Sequence, residues 1–396
     1  MIMQTLKGFR DFLPQEARKR NYVIDILRKT FESFGFEPLE TPTLEYEEVL
    51  AGKYGDEGQK LMYRFKDAGD RDVAMRYDQT VPLARVVAQY QNDLPLPFKR
   101  YQVQTVWRAE NTQKGRFREF LQCDIDTVGT ASLFADAEVI QIAIEGLKKL
   151  GFKPQIWIND RSLLDEFLND NQKISLDKLE KIGKEGVIAE WKEKGVENPE
   201  KLFDKIKGVQ PSEKLKTIFR FLNELGYREG EHFAFTPQLA RGLSYYTSTI
   251  FEMKLPDTVY QLSVGGGGRY DNLIGMFAGK DIPAVGFSFG FDRLIEAMDE
   301  LDLFTKDLTT SRILVTIPGH EQGALPLNTA MELRDKGINV DLYPDPEVPL
   351  DKQLKYADKK GIPFVILFEE EKIVLKDMNS GEKSEKTVEE ILNKLS

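Results

Sequence analysis

Residues 98–128 read Phe-Lys-Arg-Tyr-Gln-Val-Gln-Thr-Val-Trp-Arg-Ala-Glu-Asn-Thr-Gln-Lys-Gly-Arg-Phe-Arg-Glu-Phe-Leu-Gln-Cys-Asp-Ile-Asp-Thr-Val. Alternating side-chain character precedes and follows a polar segment, residues 111–115, which ends in glycine. Alternation with a period of two is typical of strands, because successive side chains point to opposite faces of a sheet. The stretch therefore predicts a long hairpin.

The return strand of this hairpin carries the most informative pattern. Its alternate residues would share one face and form a row of six: Arg116, Arg118, Phe120, Gln122, Asp124 and Asp126. At about 3.3 Å per residue the row would span roughly 33 Å. Arginine can grip a phosphate, an aromatic ring can stack on a base, and amide and carboxylate groups can hold a molecule that carries an amine or an imidazole. The row fits a nucleotide joined to an amino acid, and the alternative is an ordinary solvated sheet face.

Elements on both sides of the hairpin follow from local signals. A helix is predicted from Pro14 to a stop at Gly35, and two prolines make residues 36–45 an extended segment at an edge or an interface. A second helix is predicted from Asp136, as its N-cap, to Gly151.

The chain divides into four predicted regions. Residues 1–160 and 231–305 combine strands and helices, with strands predicted at Tyr245–Met253 and Tyr260–Val264 in the second of these regions. Residues 161–230 are rich in lysine and glutamate and predict a small helical insertion. Residues 311–396 alternate strand and helix, which indicates a compact α/β domain.

Three further segments carry functional side chains. In Arg241–Glu252 an arginine that could stabilise a reacting phosphate precedes two tyrosines that would point to opposite faces; the alternative is a surface arginine beside packed tyrosines. Four glycines in Gly265–Asp271 would let a backbone approach a ligand, or would form a hairpin turn. Gly286–Arg293 leads a strand into a helix and by itself indicates only packing.

Composition excludes several classes of protein. The chain has 396 residues, a net charge of -10, one cysteine and two histidines, so disulfide scaffolds, cysteine-cluster metal sites, zinc enzymes and histidine-centred triads are not expected. Neither a P-loop nor a Gly-x-Gly-x-x-Gly fingerprint is present. There is no apolar run of about 18 residues and no signal-peptide core, so a cytoplasmic protein is expected.

Taken together, these segments resemble the histidyl-tRNA synthetases, which are class II aminoacyl-tRNA synthetases. The similarity covers essentially the whole chain, beginning at Lys7-Gly-Phe-Arg-Asp-Phe-Leu-Pro14. The matching motifs are Phe36–Glu45 (motif 1), Arg108–Phe120 (motif 2), Gly286–Arg293 (motif 3), and two signatures particular to the histidine enzymes, Arg241–Thr247 and Gly266–Asp271.

The resemblance implies an α+β fold: an antiparallel sheet flanked by helices, with the helical insertion and a C-terminal α/β anticodon-binding domain at residues 311–396. It implies a homodimer built around motif 1. The implied reaction joins L-histidine to ATP, giving histidyl-adenylate, and then transfers the histidyl group to the histidine tRNA. Mg²⁺ would accompany ATP, and no metal site made of side chains is expected.

The resemblance also implies residue roles. The ATP-binding positions are Arg108, Glu110, Arg116, Phe120 and Arg293. The catalytic positions are Arg241 and Arg108. The histidine-binding positions are Asp78, Thr80, Gln122, Asp126, Tyr245, Tyr246 and Tyr270.

The sequence departs from the family at two positions, with Ser244 where an aspartate is usual and Ser248 where a glycine is usual. Residues 76–80 resemble the archaeal and eukaryotic branch, whereas residues 113–116 resemble bacterial enzymes. Three alternatives stay open: a non-catalytic regulatory subunit of ATP phosphoribosyltransferase, a histidine- or RNA-sensing module, and a class II enzyme for another amino acid. The presence of Arg241 and of residues 311–396 argues against the regulatory subunit.

Overall fold

A computed structural model describes residues 3–51, 60–112, 115–242, 245–256, 263–304, 308–319, 324–369 and 372–395. Its strands are β1 Glu37–Pro38, β2 Leu44–Tyr46, β3 Arg64–Lys66, β4 Asp72–Met75, β5 Phe98–Trp107, β6 Glu119–Val128, β7 Gln155–Asp160, β8 Phe233–Phe235, β9 Thr249–Lys254, β10 Gly265–Arg269, β11 Ala284–Gly290, β12 Ile313–Val315, β13 Val340–Leu342, β14 Phe364–Glu369, β15 Lys372–Asp377 and β16 Lys383–Glu385. Its helices are Pro14–Ser33, Glu47–Leu50, Thr80–Gln89, Leu133–Lys149, Arg161–Asp165, Asp170–Asp177, Leu179–Glu193, Pro199–Lys207, Glu213–Glu224, Gly275–Ala278, Phe291–Glu300, Ala324–Asp335, Leu350–Lys360 and Val388–Leu395.

Eight strands form the main sheet, in the order β1-β5-β6-β11-β10-β9-β7-β8. The pairs β1–β5 and β7–β8 at the two edges are parallel, and every pair between them is antiparallel. The predicted antiparallel sheet flanked by helices is therefore confirmed. A smaller three-stranded sheet has the order β2-β4-β3.

The predicted hairpin is confirmed, since β5 pairs antiparallel with β6 over ten residues. The predicted row is too long, however, because β6 begins at Glu119 and both Arg116 and Arg118 precede it. Phe120, Gln122, Asp124 and Asp126 are the members that lie on the strand. Cys123, on the opposite face of β6, is fully buried.

The helix predicted to begin at Asp136 begins earlier, at Leu133, and its N-cap is Ser132, whose Oγ accepts from the N–H of Phe134. Asp136 instead lies inside the first turn, fully buried, where its carboxylate pairs with Arg269 of β10. Asp136 does lie near a helix N-terminus, as predicted, but its ion pair with Arg269 explains its position better than a capping role does.

The glycine-rich segment differs from its prediction. A strand was predicted at residues 260–264 and a close approach or a turn at the glycines, whereas Gly265–Gly268 themselves form most of β10, with β9 on one side and β11 on the other. Residues 260–262 lie outside the described part of the chain. The strand predicted from Tyr245 begins at Thr249.

Between β7 and β8 the chain forms five helices, in a segment that the structure describes without a gap. Apolar side chains from these helices make a core of their own around Trp191, which is fully buried. The predicted helical character of the insertion is therefore confirmed. Among the described residues, no helix combines the length and the apolarity needed to cross a bilayer.

The chain divides into two compact units, residues 1–11 with 23–303, and residues 12–22 with 304–396. The second unit contains a mixed sheet of order β13-β12-β14-β15-β16, in which β12 runs parallel to both neighbours. The predicted α/β character is confirmed, and the antiparallel strands β15 and β16 extend it beyond the sequence prediction.

Candidate active site

One end of the β6 row is built around Asp126. Its Oδ2 lies 2.5 Å from Nη2 of Arg100, which is its direct partner across the β5–β6 pair, and the hydroxyl of Tyr270 donates to its Oδ1. Burial raises the pKa of Asp126 to about 6, although the charge of Arg100 and the bond from Tyr270 oppose the rise. Asp126 is thus an oriented carboxylate that is mainly ionised at neutral pH.

Two neighbours of Asp126 on the same face offer acceptors. Oδ1 of Asp124 and Oε1 of Gln122 are buried and have no hydrogen-bond partner among the described residues. Burial raises the pKa of Asp124 to about 7 against the opposing charge of Arg100. Buried acceptors usually have a donor, so this end of the row fits a ligand that brings N–H groups.

Tyrosines surround the same end. The ring centroids of Tyr245 and Tyr246 are 4.8 Å apart, and those of Tyr245 and Tyr270 are 5.9 Å apart. The prediction that the two adjacent tyrosines point to opposite faces is therefore wrong, because they lie before β9 rather than in it. Burial raises the pKa of Tyr245 well above its usual range, while a hydrogen bond with Thr80 opposes the rise.

Asp78 and Thr80 come from the segment that begins the helix Thr80–Gln89. Oδ1 of Asp78 accepts from the N–H of Val81 at 3.1 Å, which orients the carboxylate at the helix start. The charge of Asp78 contributes to the raised pKa values of both Asp124 and Asp126. The structure therefore brings Asp78 and Thr80 together with the β6 carboxylates and the tyrosines.

Arginines gather at the other end of the row. The guanidinium of Arg108 lies 5.2 Å from the ring centroid of Phe120, and its Nε donates to the carbonyl of Tyr77 at 3.1 Å. Nη1 of Arg116 lies 3.3 Å from Oε2 of Glu110. Arg116 thus lies beside Glu110, another of the predicted ATP-binding residues, even though it lies outside the strand.

Arg241, which precedes β9, and Arg293, in the helix Phe291–Glu300, add two more cations to this end. Nη1 of Arg241 lies 2.9 Å from Oε1 of Glu252, and Nη1 of Arg293 donates to the carbonyl of Ser263 at 2.5 Å. Burial lowers the pKa of Arg293, and the positive charges of Arg116 and Arg241 lower it further. Cations that act unfavourably on one another indicate a place for an anion.

Glycines form the floor between the two ends. A Cβ at Gly266 would lie 2.6 Å from Nη1 of Arg241. One at Gly286 would overlap the carboxylate of Asp126, and one at Gly267 would overlap the carbonyl of Gly286. The hairpin-turn alternative for Gly265–Gly268 is therefore wrong, because these glycines lie within a strand, and the approach of their backbone to a ligand stays a prediction.

Sequence reasoning missed two members of the site. Arg100 is fully buried against Asp126, and Glu252 bridges Arg241 and Lys254. Hairpin register could have found Arg100, since it lies directly opposite Asp126. Glu252 is the last residue of the segment Arg241–Glu252, and an acid in an apolar strand indicates that it is paired.

Of the two positions that depart from the family, the structure describes Ser248 only. Ser248 is buried, and its Oγ lies 3.5 Å from Oδ1 of Asp160. Ser244 lies outside the described residues, as do residues 113–114 of the motif 2 loop.

Comparisons with known proteins point to one family. The family described as histidyl-tRNA synthetase matches residues 8–182 and 187–294, and the anticodon binding domain family matches residues 315–396. The histidine–tRNA ligase of Christiangramia forsetii is 40% identical over 96% of each chain, and that of Cytophaga hutchinsonii is 39% identical over 98% of each. The crystal structure of histidyl-tRNA synthetase from Nostoc sp. PCC 7120 covers 100% of this chain and 99% of its own, with 31% identity and a TM-score of 0.86.

The antiparallel sheet, its arginine and carboxylate ends and these matches define a class II aminoacyl-tRNA synthetase. Its activity is that of a ligase that couples an amino acid to tRNA. Within the class, the chain belongs to the histidyl-tRNA synthetase family. The regulatory-subunit alternative is not better supported, because relatives of this identity carry the ligase name over nearly their whole length.

Proposed function

We propose that the chain charges the histidine tRNA in two steps at the sheet face described above, with ATP as the energy source and Mg²⁺ as the ion that accompanies it. One observation carries the proposal: cations collect at one end of the face and buried carboxylates, unpaired acceptors and tyrosines at the other. A polyphosphate suits the first end, and an amino acid with a cationic amine and a polar ring suits the second.

At the arginine end, the proposal gives ATP its contacts. Arg108 and Arg241 would bind the α-phosphate, and Arg116 would bind the outer phosphates. Phe120 and Arg293 would stack on the two faces of the adenine, since a guanidinium and an aromatic ring both favour a flat partner. Glu110, which pairs with Arg116, would lie beside the adenine edge.

At the carboxylate end, the proposal gives histidine its contacts. The amine would meet Asp78, Thr80 and Gln122, and the imidazole would meet Asp126, Tyr246 and Tyr270 with Tyr245 packed beside them. A site whose buried acceptors need N–H donors rejects amino acids that lack them, because those acceptors would stay unpaired.

The chemistry of the first step follows from this placement. The histidine carboxylate is already ionised, so it can attack the α-phosphorus without a general base, and pyrophosphate leaves. Arg108 and Arg241 would stabilise the negative charge that increases on the α-phosphate oxygens. The sheet face holds both reactants in line, which supplies much of the acceleration in reactions of this kind.

Mg²⁺ would neutralise charge on the ATP phosphates. In the described part of the chain no group of three or more histidine, cysteine or acidic side chains is arranged to hold a metal ion. In the proposal the phosphate oxygens would carry the ion, and Glu110 and Glu252 are the nearby acids of the arginine end.

The partners proposed for the whole protein are the histidine tRNA and a second copy of the chain, in the cytoplasm, where charging would feed translation. The adenylate would pass its histidyl group to the terminal ribose of the tRNA. The second unit would meet the anticodon, in line with the family match over residues 315–396.

The experiment is ATP–pyrophosphate exchange with the purified chain, run with histidine and with each other amino acid. We expect exchange with histidine alone, followed by transfer to the histidine tRNA. Exchange with a different amino acid, or none from folded protein, would contradict the proposal.

A further inference from the structure

Side chains of alternating charge join the helical insertion to Arg241. Oε2 of Glu180, in the insertion helix Leu179–Glu193, lies 2.5 Å from Nζ of Lys254. The same Nζ lies 3.0 Å from Oε2 of Glu252, whose Oε1 lies 2.9 Å from Nη1 of Arg241. The ion pairs therefore run without a break from the insertion to the candidate catalytic arginine.

The two middle members of this chain are well shielded. Glu252 and Lys254 lie two residues apart on β9, so they project from the same face. Their side chains are 14% and 7% exposed. Shielded charges act strongly on one another, and a buried ion that loses its partner is costly. A change at one end should therefore be felt at the other.

The insertion approaches Arg241 at a second point. A Cβ at Gly242 would lie 3.0 Å from Oδ2 of Asp177, so the backbone beside Arg241 runs directly against the insertion. Burial alone would lower the pKa of Arg241, but the charges of Tyr246, Glu252 and Asp177 together raise it. Two insertion carboxylates, Asp177 and Glu180, thus act on the surroundings of this guanidinium.

We propose that the helical insertion positions the guanidinium of Arg241 through Glu180, Lys254 and Glu252, so that the insertion contributes to adenylate formation itself. The inference rests on the proposed function, in which Arg241 meets the α-phosphate. Glu180, Lys254 and Glu252 are positioning residues, since each acts through Arg241 and none has to touch a substrate. Gly266 completes the arrangement, because its missing side chain leaves the guanidinium against β10.

The test substitutes Glu180→Gln in the full chain and measures histidine-dependent ATP–pyrophosphate exchange. We expect kcat to fall about tenfold with the KM values for ATP and histidine within about twofold, because a misplaced transition-state group lowers kcat rather than binding. The matched control is Glu200→Gln. Glu200 also pairs with an insertion lysine, Lys192, at 2.7 Å, but that pair has no link to Arg241, so kcat should stay at the wild-type value.

A double-mutant cycle separates positioning from general damage. Lys254→Met should lower kcat at least as much as Glu180→Gln, and the double variant should be no worse than Lys254→Met, because both changes interrupt one chain. Lys254→Arg keeps the cation and should restore most of the activity. Additive losses in the double variant would overturn the inference, as would a lowered thermal midpoint with unchanged kcat.

Failure of the inference and failure of the proposed function give different results. Wild-type exchange together with equal kcat for Glu180→Gln and Glu200→Gln would overturn the inference alone. No histidine-dependent exchange from the folded wild-type chain would overturn the proposed function, and the inference with it.

Discussion

Asp124 is a single residue whose burial has a thermodynamic consequence. The residue is 3% exposed, and its neighbour Asp126 already pairs with the guanidinium of Arg100. Folding therefore removes Asp124 from water, and its pKa rises to about 7 although the charge of Arg100 and a hydrogen bond with Ser288 oppose the rise. A ligand that brings a positive charge close to Asp124 would favour the ionised form of this carboxyl.

The raised pKa of Asp124 predicts how stability depends on pH. Between about pH 4 and 7 the folded state keeps a proton that the unfolded state has lost, so this carboxyl makes the protein less stable as the pH rises. Asp124→Asn keeps the shape and removes the charge. Its free energy of unfolding relative to wild type should increase through this range, by up to about 1.4 kcal/mol per pH unit.

Urea unfolding at pH 4.5, 6.0 and 7.5 measures this difference. Asp204→Asn, a change at an exposed aspartate that pairs with Lys184, is the control and should give a small difference at every pH. A constant effect of Asp124→Asn across the three pH values would contradict the expected titration.

Arg241 gives a second prediction for a single side chain. Arg241→Ala should lower kcat of pyrophosphate exchange about 10²- to 10³-fold, since it removes donors aimed at charge that develops in the transition state. Arg220→Ala, at an exposed arginine of the insertion, is the control. Circular dichroism should be unchanged for both variants, and near-normal exchange by Arg241→Ala would remove its catalytic role.

Among the secondary-structure elements, β10 and β11 have the least tolerance for added atoms. Both strands lie in the middle of the main sheet, and a Cβ added at Gly266 or at Gly286 would meet Arg241 or Asp126. A strand made of glycine is weak by itself, so the neighbouring strands must hold it in place.

Gly286→Ala tests this view of β11. The new Cβ would overlap the carboxylate of Asp126, so we expect a loss of stability of about 1–3 kcal/mol and a raised KM for histidine. Gly208→Ala is the control, because a Cβ there would meet its nearest atom at 3.6 Å with an ordinary φ of -88°. Denaturant melts and exchange kinetics measure both effects, and equal behaviour of the two variants would show that the floor has room.

The elements also show which features the sequence could predict. The hairpin β5–β6 and the first helix were predictable because a period of 2 or 3.6 residues is written in local sequence. The strand β10 was not, because glycine has little preference for strands and its conformation depends on neighbours distant in sequence. The helix at Leu133 was misplaced by one turn because Asp136 has a tertiary partner, Arg269.

The site was predictable where motifs are contiguous and unpredictable where pairing is tertiary. The row on β6 required only alternation, and the structure places Phe120 and Asp126 on one face as expected. Arg100 required the exact strand register, and Glu252 required knowledge of what lies beside Arg241. The roles of these residues remain predictions.

For the whole molecule, the three-stranded sheet leaves apolar side chains exposed. Leu44 and Tyr46 on β2 are 41% and 53% exposed, and Phe65 on β3 is 46% exposed. These strands adjoin the motif 1 segment, around which the family resemblance expects a homodimer. Exposed apolar residues grouped in this way indicate an interaction surface.

This exposed apolar surface predicts that a charged substitution on it changes the oligomeric state of the protein. The wild-type chain of 45.4 kDa should sediment as a dimer of about twice that mass, and Phe65→Lys should shift it toward the monomer because a buried charge opposes association. Leu225→Lys, at an insertion side chain that is 50% exposed, is the control. Analytical ultracentrifugation measures the molar mass of the wild type and of both variants. A wild-type monomer would contradict the proposed dimer.

The buried position of Cys123 makes its thiol a probe of local opening of the main sheet. The chain has one thiol, which is buried on β6, the strand that carries Asp124 and Asp126, on the opposite face from those carboxylates. A thiol reagent can reach it only when that strand separates from its surroundings, so the labelling rate reports how often the sheet opens. Histidine and ATP bind on the other face of the same sheet in our proposal, and together they should slow the labelling.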